Sequence, residues 1–347
     1  MSFSDLLLNW YKINKRNLPW RHTNDAYFIW IAEIILQQTK VNQGMPYYLK
    51  FVKNFPTIKH LALANQDKVL NLWQGLGYYS RARNLHFSAK YILENYNGVF
   101  PNQYDKILNL KGVGHYTAAA IASFAFGLPY AVVDGNVVRV LSRVFGIDVP
   151  FETVSGKKIF QQLSQELLDK KNPADYNQAI MDFGSLHCSF RLPKCNTCVF
   201  SERCVAYTTN TISKFPLKVK KISMKKRYLH YLVIKKDDNI MLGKISEGVW
   251  IGLYEFPFIE FLVDYPLDLI FSSKEWNGMF KNLDYEVKSV SKQYVHKLSH
   301  QHIYAYFWTI NVNAFKLKKY SFIKNSEVKN YPISRLIDKF LQENYII

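Results

Sequence analysis

The hydrophobic rhythm of the chain changes once. From Phe3 to Leu186 apolar residues recur three and four apart in short blocks, and no convincing period-two strand appears. That spacing predicts helices over Phe3–Lys15, with Ser4 as a possible N-cap, then Tyr27–Leu36, Tyr47–Phe55, Asp67–Trp73 and Ala82–Asn95. It continues over 103–110, 116–126, Asn136–Phe145, Gly156–Asp169 and Tyr176–Leu186. From Tyr228 the pattern alternates, as in Tyr228-Leu229-His230-Tyr231-Leu232 and Ile303-Tyr304-Ala305-Tyr306-Phe307, which predicts a separate α+β domain. Between them Lys214–Arg227 carries seven basic residues and no acid. It reads as a linker that either tracks a phosphate backbone or is simply solvated.

Composition sharpens this picture in one respect. The formal net charge is +18, from 45 Lys+Arg against 27 Asp+Glu in 347 residues. A surplus of that size suggests a polyanionic partner, although a lysine-rich surface is the plainer reading. No apolar run reaches the ~18 residues of a membrane span, and the N-terminus reads as an amphipathic helix rather than a signal peptide. A soluble cytoplasmic protein is expected.

All four cysteines, Cys188, Cys195, Cys198 and Cys204, fall within 17 residues. A disulfide framework would spread them to staple distant loops, so a metal site is expected. Zinc sites usually show two CxxC-type pairs, whereas the asymmetric Cys-x6-Cys-x2-Cys-x5-Cys spacing fits a cubane cluster better. Zinc stays open on spacing alone.

Three further features carry chemistry. Gly112-Val113-Gly114 joins two predicted helices and presents backbone N–H groups at a helix start, where a phosphate can bind; a tight helix–helix turn is the alternative. Glu33 is the only charge between Asp25 and Lys40. If buried among Ile29, Trp30 and Leu36, its carboxyl is raised in pKa and suits a general acid; otherwise it lies on a polar stripe. Asp134 stands in an apolar run before the next helix, as an N-cap that helix N–H groups would keep ionised. One acid pushed up and one pushed down is the division that glycosidic bond cleavage needs.

Together LPWR (18–21), EIILQQT (33–39), GLGYYSRARNLH (75–86), LKGVGHYTAAAI (110–121), VDGNVVRV (133–140), NQAIMDFG (177–184) and the cysteine spacing resemble the helix-hairpin-helix DNA glycosylases with an endonuclease III-type iron–sulfur loop. Within that superfamily the chain resembles the MutY-type adenine DNA glycosylases, closely over 5–205 and more weakly over 228–345. The resemblance implies an all-helical glycosylase module over 1–207. A six-helix barrel would occupy about 21–130, and an iron–sulfur subdomain 1–20 with 131–207. After the linker at 208–227 would come a MutT (Nudix)-like lesion-recognition domain at 228–347. It implies one 4Fe-4S cluster on the four cysteines. The substrate would be duplex DNA in which adenine is mispaired with 8-oxoguanine or guanine, met by a monomer without membrane association, in the nucleoid.

Residue by residue, the resemblance makes Glu33 the acid that protonates the leaving adenine and Asp134 the support of the oxocarbenium ion, held by Asn136. Gln38, Thr39 and Tyr78 would wedge into the duplex, Gly112 and Gly114 would hold the backbone, and Arg21 and Gln178 would contact adenine. Tyr116 stands where glycosylase–lyases carry a Schiff-base lysine, so a monofunctional enzyme is expected, with the phenol hydrogen-bonded near the acids. The family's Phe-Ser-His lesion reader is here Leu298-Ser299-His300, so Ser299 and His300 match and the aromatic does not. The alternatives are an endonuclease III-like glycosylase and AP lyase, and a non-catalytic iron–sulfur DNA-binding or redox-sensing protein.

Overall fold

A computed structural model describes residues 1–219 and 224–344, so four residues of the basic linker lie outside the described part. The helices are α1 (Phe3–Asn14), α2 (Ala26–Leu36), α3 (Val41–Asn54), α4 (Ile58–Ala62), α5 (Gln66–Leu72), α6 (Ser80–Asn95), α7 (Tyr104–Leu108) and α8 (His115–Phe126). They continue as α9 (Gly135–Phe145), α10 (Val154–Leu167), α11 (Pro173–Leu186) and α12 (Val205–Thr208). None among the described residues is long and apolar enough to cross a membrane.

Two local expectations are corrected. Ser2, not Ser4, caps α1: its hydroxyl accepts from Asp5 N–H and the Asp5 carboxylate accepts from Ser2 N–H, a reciprocal capping box. α3 begins six residues earlier than the pattern suggested, with Pro46 inside it. Proline there forfeits one backbone bond, a loss the packing of Tyr48 and Phe51 outweighs.

The chain forms two compact units. One comprises Met1–Leu63 and resumes at Asn84; the other joins Ala64–Arg83 to the strand-rich region after the linker. The helical pattern groups Ala64–Arg83 with its neighbours in sequence. Tertiary bonds draw it into the second unit: Asp67 accepts from Lys244 Nζ at 2.6 Å and Tyr254 Oη at 3.1 Å, and Arg83 donates to Ile251 O at 2.6 Å.

In the first unit α2 packs on α8, and α11 packs on α1 and α9. α2 is buried from Ala26 to Ile35 except at Phe28, and α8 buries its run of mostly small residues, Thr117 to Ser123. Small side chains let the two backbones approach, which sets the hairpin preceding α8 beside the end of α2.

The second unit contains a mixed eight-stranded sheet. Its strands are β1 (Lys225–Lys236), β2 (Asn239–Lys244), β3 (Tyr254–Glu255), β4 (Phe258–Phe261), β5 (Tyr285–Val290), β6 (Tyr294–Lys297), β7 (Gln301–Val312) and β8 (Tyr320–Lys324). β1 and β7 run parallel at the centre over eleven paired positions. α13 (Lys274–Phe280) and α14 (Arg335–Glu343) belong to this unit, and Trp276 of α13 packs on Trp308, giving the α+β class the alternation predicted.

Candidate active site and cysteine cavity

Glu33 lies on the third turn of α2 and is 5% exposed. Tyr116, on the first turn of α8, donates its hydroxyl to Glu33 Oε2 at 2.9 Å and also reaches Met181 Sδ at 3.2 Å. Burial pushes the Glu33 carboxyl up to about 7; the Tyr116 bond pulls it down, the Asp134 charge pushes it up and Arg21 pulls it down. Near neutral pH it therefore holds a proton in a large fraction of molecules.

Asp134 caps α9. Its carboxylate accepts from Asn136 N at 2.9 Å, Val137 N at 2.8 Å and Asn136 Nδ2 at 2.8 Å. The capping is as expected, but the direction of its pKa is not. Burial outweighs the three donors and leaves the Asp134 carboxyl above, not below, its ordinary value. Sequence showed the donors; it could not show how far the fold strips water from the carboxylate of this partly buried residue. The two acids still differ, because Asp134 has three donors to its charged form and Glu33 has the single phenol.

Glu33, Tyr116, Asp134 and Asn136 line one cavity of about 830 Å³, with Arg21 and Gln178 on its wall. That volume suits a small organic ligand such as a nucleobase. Arg21 and Gln178 are already engaged: Arg21 forms two bonds to Asp182, at 2.7 and 2.9 Å, and Gln178 Oε1 accepts from Tyr11 at 2.8 Å.

Asp182 lies within NQAIMDFG (177–184), where the resemblance implies no role for it. It is fully buried and also binds Arg16. Burial would raise its pKa; bonds from Arg21 and Arg16 outweigh burial and hold it below the ordinary value. The signal available was an acid set among Ile180, Met181 and Phe183. Asp182→Asn would leave two poorly compensated cations, so we expect a loss of about 3 kcal/mol in urea unfolding; a loss under about 0.5 kcal/mol would refute the pairing as a stabilising contact.

Arg139, likewise unremarked in sequence, holds Asn136 Oδ1 at 2.8 Å and reaches Cys188 O at 2.8 Å and Gly184 O. The side chain that supports Asp134 is thus fixed from the far end of α11. The approach of α11 to α9 depends on Gly184, where a Cβ would stand 2.7 Å from Asn136 Cβ and 2.9 Å from Asn136 O.

The hairpin follows α7. Gly112 takes φ +85°, and a Cβ there would lie 2.8 Å from Asn84 Cβ. Gly114 is different: its backbone is extended, with φ −100°, and nothing lies within 4 Å of a Cβ. With that side open, no Cβ covers the first N–H groups of α8, which helix geometry leaves without an internal partner. Gln37 Nε2 donates to Thr117 Oγ1 at 3.1 Å and Gly112 O at 3.4 Å, tying the hairpin to α2. Gly112→Ala should therefore cost about 1–3 kcal/mol in melting experiments, whereas Gly114→Ala should leave stability nearly unchanged and weaken duplex binding.

Gln38 and Thr39 follow α2, and Gln38 takes φ +57°. Tyr78, with φ +47°, is half exposed and belongs to the second unit. In that unit Leu298–His300 form the turn between β6 and β7, closed by Leu298 N–H to Gln301 O at 2.8 Å, with Ser299 and His300 exposed and Leu298 half-buried.

Cys188, Cys195, Cys198 and Cys204 line one cavity and none is in a disulfide. Arg143 Nη1 donates to Cys188 Sγ and Phe200 N–H to Cys198 Sγ, each at 3.4 Å. Among the described residues no group of three or more His, Cys, Asp or Glu is gathered to hold a single ion. Four sulfurs around a common cavity, two of them already accepting N–H donors, fit a larger thiolate-bound group.

Residues 31–169 match the family model described as "HhH-GPD superfamily base excision DNA repair protein". Among solved structures, a thermostable thymine-DNA glycosylase superposes with a TM-score of 0.56 at 32% identity, covering 60% of this chain and 95% of that one. The chain belongs to the adenine DNA glycosylases within that superfamily. The adenine DNA glycosylase of Buchnera aphidicola subsp. Acyrthosiphon pisum is 39% identical over 74% of this chain and 73% of its own length. That of Buchnera aphidicola subsp. Schizaphis graminum is 37% identical over 90% and 89%.

Proposed function

We propose that this enzyme hydrolyses the N-glycosidic bond of adenine mispaired with 8-oxoguanine, or with guanine, in duplex DNA. The observation that carries the reading is that Glu33, which is buried, and Asp134, which is partly buried, line one cavity with different donor sets. The base must leave the stack to reach it, at a cost of a few kcal/mol that is least at a mispair. Glu33 then donates its proton to a ring nitrogen of adenine, which becomes a neutral leaving group. As the bond breaks, positive charge develops on the sugar and the Asp134 carboxylate, held by α9 and Asn136, stabilises it. Water then adds to the sugar cation and gives up a proton to the Glu33 carboxylate, which restores the acid.

Tyr116 supports base removal without strand cleavage. A phenol cannot form an imine, and its hydroxyl is committed to Glu33. Gln38 and Thr39 fill the space that the base vacates, while the hairpin N–H groups hold phosphate without reading sequence. Ser299 and His300, exposed at the β6–β7 turn, contact 8-oxoguanine. The protein acts as a monomer in the nucleoid.

The four cysteines hold one 4Fe-4S cluster, which supplies no step of the hydrolysis. Purified protein should contain about four irons per chain; stoichiometric zinc without iron would exclude the assignment. The function itself is tested by single-turnover adenine release from A opposite 8-oxoguanine, A opposite G and A opposite T. Release should be fastest in the first and absent in the third. Equal rates in all three, or borohydride trapping of a lysine on abasic DNA, would overturn the reading.

A further inference from the structure

One side chain at the cysteine cavity has no part in what precedes. His187 lies next to Cys188, lines the same cavity and is 8% exposed. Its ring is stacked on Phe183, with centroids 5.0 Å apart at 16°, and meets Trp10 edge-on at 6.0 Å. Aromatic contacts on two sides fix the plane of the imidazole. The Lys194 main chain also borders the ring, yet Nε2 is fully buried and bonds no group among the described residues. A buried donor left unmade costs about 1–3 kcal/mol, so such an atom calls for a partner. A hydrocarbon side chain would pack in this aromatic setting without that cost. The polar atom is therefore best explained by a polar group inside the cavity.

We propose that His187 Nε2–H donates a hydrogen bond to a sulfur of the cluster and raises the cluster's reduction potential. The inference rests on the cluster reading above. A donor at sulfur withdraws electron density from the iron–sulfur core and favours its more negative, reduced states. His187 would be the third such donor, after Arg143 and the Phe200 N–H, and the one whose proton sits on a rigidly stacked ring. It is a tuning residue and touches no substrate.

The test compares wild type with His187→Ile and His187→Gln, in full-length protein. Iron content and visible absorbance come first, and wild type without iron defeats the cluster reading as well. In iron-loaded protein the deuterium sensitivity of the iron–sulfur stretching bands in resonance Raman spectra is measured with the midpoint potential on DNA-bound enzyme. His187→Ile should lose part of the deuterium shift and move the potential negative. His187→Gln, which keeps an N–H, should retain more of both. Iron-loaded His187→Ile with unchanged bands and unchanged potential overturns the proposal. Should the variants not load iron, pulsed electron–nuclear spectroscopy of the oxidised wild-type cluster decides it: an exchangeable proton assigned to a ring nitrogen by ¹⁵N-histidine labelling supports the bond, and none overturns it.

Discussion

Glu33→Gln should slow single-turnover adenine release by about 10³-fold or more while leaving duplex affinity within a few-fold, because the amide keeps the shape and loses the transferable proton. Release within tenfold of wild type would remove Glu33 from the chemistry. The same carboxyl predicts the pH profile. With its pKa at about 7, the protonated acid is depleted as pH rises through 7, so the rate should fall on the alkaline side. Stability follows with the same sign. The folded chain binds this proton more tightly than the unfolded chain does, where the group titrates near 4.5. Raising the pH from about 4.5 to 7 therefore costs wild type on the order of 3 kcal/mol, and Glu33→Gln escapes that cost. A variant that is less active yet more stable at pH 8 distinguishes a desolvated acid from a residue that merely packs.

Asp134→Asn should cost about 10³-fold in the same assay, since the sugar cation loses its counter-charge. Asparagine is as good an N-cap as aspartate, so the start of α9 should survive. One contact does not carry over. Asn136 Nδ2 now donates to an Asp134 oxygen while its Oδ1 is held by Arg139. An amide nitrogen at position 134 would face that donor, and Asn136 cannot turn over without releasing Arg139. We therefore expect a further 1–2 kcal/mol of destabilisation, read by denaturant titration. Adenine release near the wild-type rate would show that Asp134 only caps the helix.

Much of this site was legible in the chain. Apolar neighbours at helical spacing left Glu33 either buried or on a polar stripe, and it is buried; an acid before a helical run suggested Asp134 as a cap, which it is. The glycine pair between helices marked the hairpin. What was not legible depends on groups far apart in sequence. Arg21 is turned by Asp182, 161 residues away, and nothing in LPWR foretells that partner. The upward direction at Asp134 comes from burial, which outweighs three local donors. Gly112 and Gly114 read alike but differ in kind: Gly112 is required by φ and by Asn84, Gly114 by the space that it leaves open. The helix expected from Tyr47 begins at Val41, because local propensity cannot weigh one lost backbone bond against two aromatic anchors.

Gly184 carries no functional group, yet it should tolerate substitution as poorly as the acids do. Any larger side chain there meets the backbone of Asn136, the residue that steadies Asp134. In a saturation library selected for repair, alanine at 184 should therefore be depleted beside changes at 33 and 134, although it removes no atom that touches the reaction. An inherited or engineered replacement at this position belongs among loss-of-activity alleles, and its harm is exerted through a distance of less than 3 Å.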